Sequence, residues 1–249
     1  MDFVKMHGLG NDFVVLRGPF SPSPMLIEAM CDRRLGVGAD GVLVVSPGPP
    51  VGMEYWNADG SAAEMCGNGL RCVARYAFDQ GWSKGEGFEV DTPVGTQTVL
   101  RVASDDWQVG LGSVTIGDSF ALAGRSWQSV SVGNPHAVTF VDDLATAPLA
   151  VVGPTVNGHF AGGSNVEFAR IEAPDRIGLR VWERGVGETR ACGTGAVATV
   201  AAAMTGGLGK SPSRVQLPGG VLEVSIDNGR ATITGPAVYV FEGVWPDAG

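Results

Sequence analysis

The chain has 249 residues, 44% of them hydrophobic, and a formal net charge of −9. That length supports one large domain or two ordinary ones, while an acidic balance with lysine only at positions 5, 84 and 210 excludes a basic nucleic-acid surface. The longest apolar run, around 196–204, is too short to span a bilayer, the first residues lack the shape of a signal peptide, and the four cysteines fit thiols in a reducing, cytoplasmic setting.

Residues 3–6 and 13–16 read as short strands around a loop at 7–12. That loop contains Gly-Leu-Gly but does not complete a dinucleotide fingerprint. Ser23 followed by Pro24 predicts the start of a helix reaching about Arg33, with Cys31 packed in the core. A tight loop at 36–41 precedes a strand at 42–45, and 47–50 is a turn. Leu70, Val73, Ala74, Ala77 and Phe78 recur at helical spacing, with Gly81 as the stop. Cys72 lies inside that helix and is read as packing. Strands are expected at 88–91, 97–102, 108–111, 130–132, 138–141, 166–171, 178–182, 222–226 and 231–234. A second helix, 196–204, is apolar all round and therefore buried, and it ends near Gly206 and Gly207. The boundary between halves is expected in the Gly- and Ser-rich stretch 112–128.

The two halves repeat one another. Cys66-Gly67-Asn68-Gly69 and Cys192-Gly193-Thr194-Gly195 each open one of the two helices. Trp56 and Trp182 each lie ten residues before the cysteine. Asn57 and Glu183 follow the tryptophans, and a Pro-x-Gly follows each helix, at 93–95 and 218–220. Asn11 and Asn134 stand at roughly matching places upstream. A structural cysteine is a small hydrophobe with no need of glycine neighbours. A cysteine before a helix start, with Asn68 or Thr194 as the capping type, meets unpaired N–H groups and the positive end of the helix dipole. Those favour anions and lower a thiol's pKa, and the glycines allow close approach of a ligand. Two equivalent thiols on two equivalent half-chains suggest one cysteine on each side of a ligand. The three histidines, His7, His136 and His159, are too scattered for a metal site. None of the three lysines sits in a site-like motif, as the Schiff base of pyridoxal phosphate would require, so no cofactor is expected.

These segments together resemble the diaminopimelate epimerases, cofactor-independent amino-acid epimerases. The matching stretches are 6–13, 57–61, 66–69, 133–136, 163–166, 182–195 and 217–220, in family order over essentially the whole chain. The resemblance implies an α+β fold of two pseudo-symmetric lobes, each a curved mixed or antiparallel sheet around a central helix. The lobes would be 1–115, joined by a last strand at about 236–249, and 116–235. It implies interconversion of LL- and meso-diaminopimelate on the route to lysine and peptidoglycan, by a cytoplasmic homodimer with no nucleic-acid or membrane partner.

Inverting an α-carbon takes a base on one face and an acid on the other. Cys66 and Cys192 would supply them, one as thiolate and one as thiol. N–H groups of Gly67, Asn68, Gly193 and Thr194 would hold the α-carboxylate. The resemblance adds Asn11, Asn57, Asn134, Asn165, Glu183 and Arg184 as substrate contacts. Arg184 would hold a distal carboxylate, and His136 and Glu183 would tune the thiols. Two positions depart from the family. Gly41 stands where some members carry a substrate-contacting glutamine, and Phe241 where some have a tyrosine at the dimer interface. The rival readings are a proline or hydroxyproline racemase, which typically has His where Asn68 stands; a non-catalytic binding protein of the same fold, which should lack one cysteine; a thiol redox protein; and a cysteine hydrolase.

Overall fold

The computed structural model describes residues 1–63, 66–83 and 85–246. Glu64, Met65, Lys84 and the end of the expected last strand, 247–249, lie outside them. The chain divides into two compact units, Met1–Val109 with the segment from Gly235 onward, and Gly110–Thr234. The division falls inside a strand, upstream of the Gly- and Ser-rich stretch 112–128. That stretch is itself mostly strand, broken by a turn at Ala123 and Gly124.

The first unit is a mixed sheet. A hairpin of β1 (Asp2–Gly8) and β2 (Asn11–Arg17) leads through helix α1 (Pro24–Cys31) to β3 (Gly41–Ser46), which lies parallel to β2. Then β4 (Val51–Asn57) pairs antiparallel with β3 and with the short β5 (Ala62–Ala63). Helix α2 (Gly67–Asp79) crosses back to β6 (Gly87–Thr92), parallel to β4. The strands β7 (Gly95–Arg101) and β8 (Asp106–Ser113) continue antiparallel. The far edge of β1 is covered by β18 (Val238–Val244).

The second unit repeats this plan. It runs β9 (Thr115–Leu122), β10 (Arg125–Ser131), β11 (Pro135–Phe140), α3 (Leu149–Asn157), β12 (Asn165–Ala173), β13 (Arg176–Glu183), β14 (Gly187–Thr189), α4 (Gly193–Thr205), β15 (Ser213–Leu217), β16 (Gly220–Asp227) and β17 (Arg230–Pro236). Again the strand before the first helix and the strand after it are parallel, β11 with β12. The long strand upstream of the second helix is parallel to the one after it, β13 with β15 as β4 with β6, the short β14 and β5 lying between. In this unit β9 covers the edge of β10, the place that β18 takes on β1.

Both faces of the central strands are buried, which is why they read as unbroken apolar runs. On β2 and β3, Val14, Leu16, Val42 and Val44 pack with Ile27 and Met30 of α1. The alternate residue Leu43 faces α2, touching the space beside Gly69. In the second unit Val166 and Phe168 pack with Leu149 and Val156 of α3. Glu167 between them faces α4 beside Gly195.

Several expectations change. Helix α1 stops at Cys31, short of Arg33, with its N-cap at Ser23 whose Oγ accepts from Leu26 N. The strands β4, β5, β9, β14 and β15 and the helix α3 add to the expected set. The residues of α3 carry Gly153 and Pro154 among valines, a loop-like composition. It forms because Leu149, Gly153 and Val156 turn one face to the core, and Gly153 lies against Trp182, where a Cβ would come within 2.8 Å of the ring. Most of β9 is exposed, so no alternation marks it. Among the described residues no helix is long and apolar enough to cross a membrane.

Candidate active site

The two cysteines are themselves the N-caps of α2 and α4, with extended backbones at φ −142°, ψ 116° and φ −132°, ψ 111°. This corrects the capping role expected of Asn68 and Thr194, which fall in the first turn. Both helices end alike. Gly81 and Gly207 take left-handed φ of 71° and 66°. Their N–H groups reach Phe78 O and Met204 O, and those of Trp82 and Leu208 reach Ala77 O and Ala203 O, the paired bonds of a Schellman stop. All four cysteines are thiols. Cys31 and Cys72 are buried, and burial pushes their thiols up to about 11 and about 12.

In the first unit Cys66 Sγ donates to Asn11 Oδ1 at 3.4 Å, and Asn68 Nδ2 donates to the same oxygen at 3.1 Å. Asn11 is held there by the two-residue turn of Leu9 and Gly10, both at positive φ, 57° and 85°, the geometry of a type I′ hairpin. Asn68 Oδ1 accepts from Arg71 Nη2 at 2.8 Å. Arg71 is fully buried and also reaches Gly67 O and Pro236 O. Asn57, at the end of β4, bonds through Nδ2 to Ser61 Oγ at 3.0 Å. A Cβ on Gly41 would lie 2.4 Å from Trp56 O and 2.6 Å from the Tyr55 ring. No side chain fits there without a shift of backbone.

In the second unit Cys192 Sγ accepts from Gly195 N at 3.4 Å and lies 3.6 Å from Thr194 Oγ1. Thr194 Oγ1 accepts from Asn134 Nδ2 at 3.4 Å, and Asn134 Oδ1 lies 2.9 Å from His136 Nε2. The other ring nitrogen, His136 Nδ1, lies 2.6 Å from Glu167 Oε1, with both side chains fully buried. A continuous polar chain therefore runs from Glu167 to the Cys192 sulfur. Gly195 leaves room for it, since a Cβ there would meet Glu167 Oε1 at 2.9 Å. Glu183 accepts from Thr189 Oγ1, and its charge acts on Cys192. Asn165 Oδ1 accepts from Arg184 N at 3.0 Å, its Nδ2 donates to Pro135 O at 3.2 Å, and the Arg184 side chain is exposed.

The electrostatics of Cys192 differ from the sequence expectation. A helix start lowers a thiol's pKa, and the Gly195 N–H does pull that way. Burial wins, and the charges of Glu183 and Glu167 add to it, so the thiol is raised well above its ordinary value. Burial also raises the carboxyls of Glu183 and Glu167.

The diaminopimelate epimerase family model matches residues 3–117 and 128–240. A diaminopimelate epimerase of Microcystis aeruginosa is 41% identical, with 98% of each chain covered. The chain belongs to the diaminopimelate epimerase family. Another relative, an O-ureido-serine racemase of Streptomyces lavendulae, is 43% identical over 98% of this chain and 95% of its own. The α+β fold also matches solved structures at low identity. A PhzF-family phenazine biosynthesis protein of Bacillus anthracis has TM-score 0.78 at 15% identity, covering 98% of each chain. A probable proline racemase of Agrobacterium radiobacter has TM-score 0.74 at 15% identity, covering 99% of this chain and 93% of its own.

For a diaminopimelate epimerase family member, two groups stand close to the expected residues without having been expected themselves. Asp40 Oδ2 accepts from Asn11 Nδ2 at 2.7 Å, and Glu167 holds His136. Neither lies in the repeated pattern. Asp40 is brought to Asn11 by the parallel register of β2 and β3, and Glu167 to His136 by that of β11 and β12. The sequence signal was at most one polar residue within each apolar stretch.

Proposed function

We propose that this chain interconverts LL- and meso-diaminopimelate at one α-carbon without a cofactor, with Cys66 and Cys192 as the acid–base pair, in the route to lysine and peptidoglycan. The observation that carries the reading is the placement of two thiols as N-caps of matching helices in two copies of one fold. One thiolate takes the α-proton, and the other cysteine's S–H delivers its proton to the opposite face, so the two exchange protonation states each turnover. The carbanion between these steps needs strong stabilisation. The N–H groups of the first turns, at Gly67, Asn68, Gly193 and Thr194, suit the α-carboxylate as it gains enolate charge. Asn11, Asn57, Asn134 and Asn165 offer both donors and acceptors to ammonium and carboxylate groups. Glu183 takes the Cys192 proton to make the thiolate, and His136 steadies that exchange through Asn134. A thiolate from so weakly acidic a thiol is a strong base, as an α-proton demands. The exposed Arg184 suits the distal carboxylate. The exposed apolar residues of β18, Val240, Phe241 and Val244, suit a homodimer face, and the composition suits the cytoplasm.

The test is an assay of LL-diaminopimelate in heavy water with no cofactor added. Deuterium should enter the α-carbon of the meso product. Activity that needs added pyridoxal phosphate would overturn the mechanism. A second reading rests on the 43% identity to the O-ureido-serine racemase. Its substrate shares the α-carbon chemistry but carries a ureido end in place of a second amino-acid end. The same assay run with O-ureido-serine separates the two by relative kcat/KM. With diaminopimelate as substrate, Arg184→Ala should raise KM about tenfold or more through loss of a charge-assisted contact. An unchanged KM would point to the ureido substrate.

A further inference from the structure

We propose that Asp40 is a positioning residue for the thiol of Cys66: it fixes the amide of Asn11 with its oxygen toward the sulfur, and so keeps Cys66 protonated, as the acid, in the unliganded enzyme. The inference rests on the reading of Cys66 as one of the two acid–base groups. An amide side chain has two ends that geometry alone seldom tells apart. Here chemistry tells them apart. A carboxylate only accepts, so the Asn11 atom 2.7 Å from Asp40 Oδ2 is the nitrogen. The oxygen then faces Asn68 Nδ2 and Cys66 Sγ. A carbonyl oxygen cannot donate, so its contact with sulfur is favourable only when Cys66 carries its proton.

Asp40 is itself held firmly. Its Oδ2 also accepts from Asp12 N at 3.1 Å, and its Oδ1 from Arg33 Nη2 at 2.6 Å. Arg33 makes two further bonds to Asp12, at 3.1 and 2.7 Å, and Lys5 lies 2.7 Å from the same carboxylate. Against the cost of burial, these cations hold Asp12 at about 2. Asn68 is oriented consistently, since Arg71 takes its oxygen and leaves its nitrogen for Asn11. The charged and titratable neighbours of Cys66 pull in opposite senses. The buried guanidinium of Arg71 favours a thiolate, and Cys72, on the same helix, opposes one. Arg71 spends its hydrogen bonds on Gly67 O, Asn68 Oδ1 and Pro236 O, whereas Asn11 Oδ1 meets the sulfur directly. That direct contact favours the thiol. A substrate that takes over Asn11 Oδ1 would release the S–H toward the α-carbon.

The test measures the rate at which iodoacetamide alkylates Cys66, against pH, in the unliganded protein, with peptide mapping to resolve each cysteine. Asp40→Ala leaves the Asn11 amide held only through Asn68 Nδ2, so it can turn its N–H toward the sulfur at the cost of that one bond. The midpoint should fall, and labelling at pH 7 should rise about three- to tenfold, the worth of one hydrogen bond. In Asp40→Asn the amide oxygen still accepts from Asn11 and from Asp12 N and only the bond from Arg33 Nη2 is given up, so the midpoint should stay close to that of the wild type. Asn11→Ala removes the acceptor and should also speed labelling. Equal shifts in Asp40→Ala and Asp40→Asn would show charge rather than amide orientation, and no shift in Asp40→Ala or Asn11→Ala would remove the lock; each overturns the proposal. Cys31 and Cys72 staying unlabelled reports an intact fold. Labelling needs no turnover, so a Cys66→Ala variant with full epimerase activity would fail the functional reading separately.

Discussion

Replacing Glu183 by glutamine tests the electrostatics of Cys192 at a single atom. Burial and two carboxylates hold that thiol well above its usual value. Alkylation follows the thiolate, so labelling of Cys192 in the unliganded wild type should stay slow at neutral pH and rise only above the ordinary thiol range. Removing the Glu183 charge stabilises the thiolate relative to the thiol, so Glu183→Gln should move the midpoint to lower pH while lowering kcat. A midpoint that rises or stays would mean that the Glu183 charge does not raise it. Cys66 and Cys192 were legible in the sequence because each is embedded in a local motif. The opposite ionisation balance of Cys192 was not legible, because it depends first on burial and then on the charges of Glu183 and Glu167, the latter brought beside α4 only by strand register.

Among the elements, α2 and α4 were the most legible, since start, stop and apolar face are all local. Their Schellman stops carry a prediction. Gly81→Ala and Gly207→Ala would each force a Cβ into a left-handed backbone, where no heavy atom lies within 4 Å to add a clash. The cost is therefore conformational alone, about 1–2 kcal/mol per site, and should appear as a similar loss in chemical denaturation for both variants. A much larger loss at one site would show that the two helices are not equivalent in what they support. By contrast, α3 hides behind its proline and valines, and is helical because Trp182 offers its Gly153 a flat ring. The exposed β9 carries no alternation, and only its pairing with β10 makes it a strand.

At the level of the whole molecule, the segment after Gly235 belongs with the first unit although it follows the second in sequence. It supplies β18 to β1, Pro236 O to the buried Arg71, and Ala237 O to Arg75. Truncation after Thr234 should therefore spare the second unit and loosen the first. Hydrogen exchange would show it as faster exchange in β1 and β2, with β10 to β13 still protected. Equal loosening of both units would mean that neither folds without the other. The same arrangement sets an order of assembly on the ribosome. At about 5–20 residues per second, β18 emerges on the order of ten seconds after β8. Through that interval β1 has one unpaired edge, open to strands from neighbouring nascent chains. The strand made next, β9, is the counterpart of β18 in the repeat. The duplicated plan thus offers the waiting edge a wrong partner before the right one exists, and correct closure depends on β10 capturing β9 first.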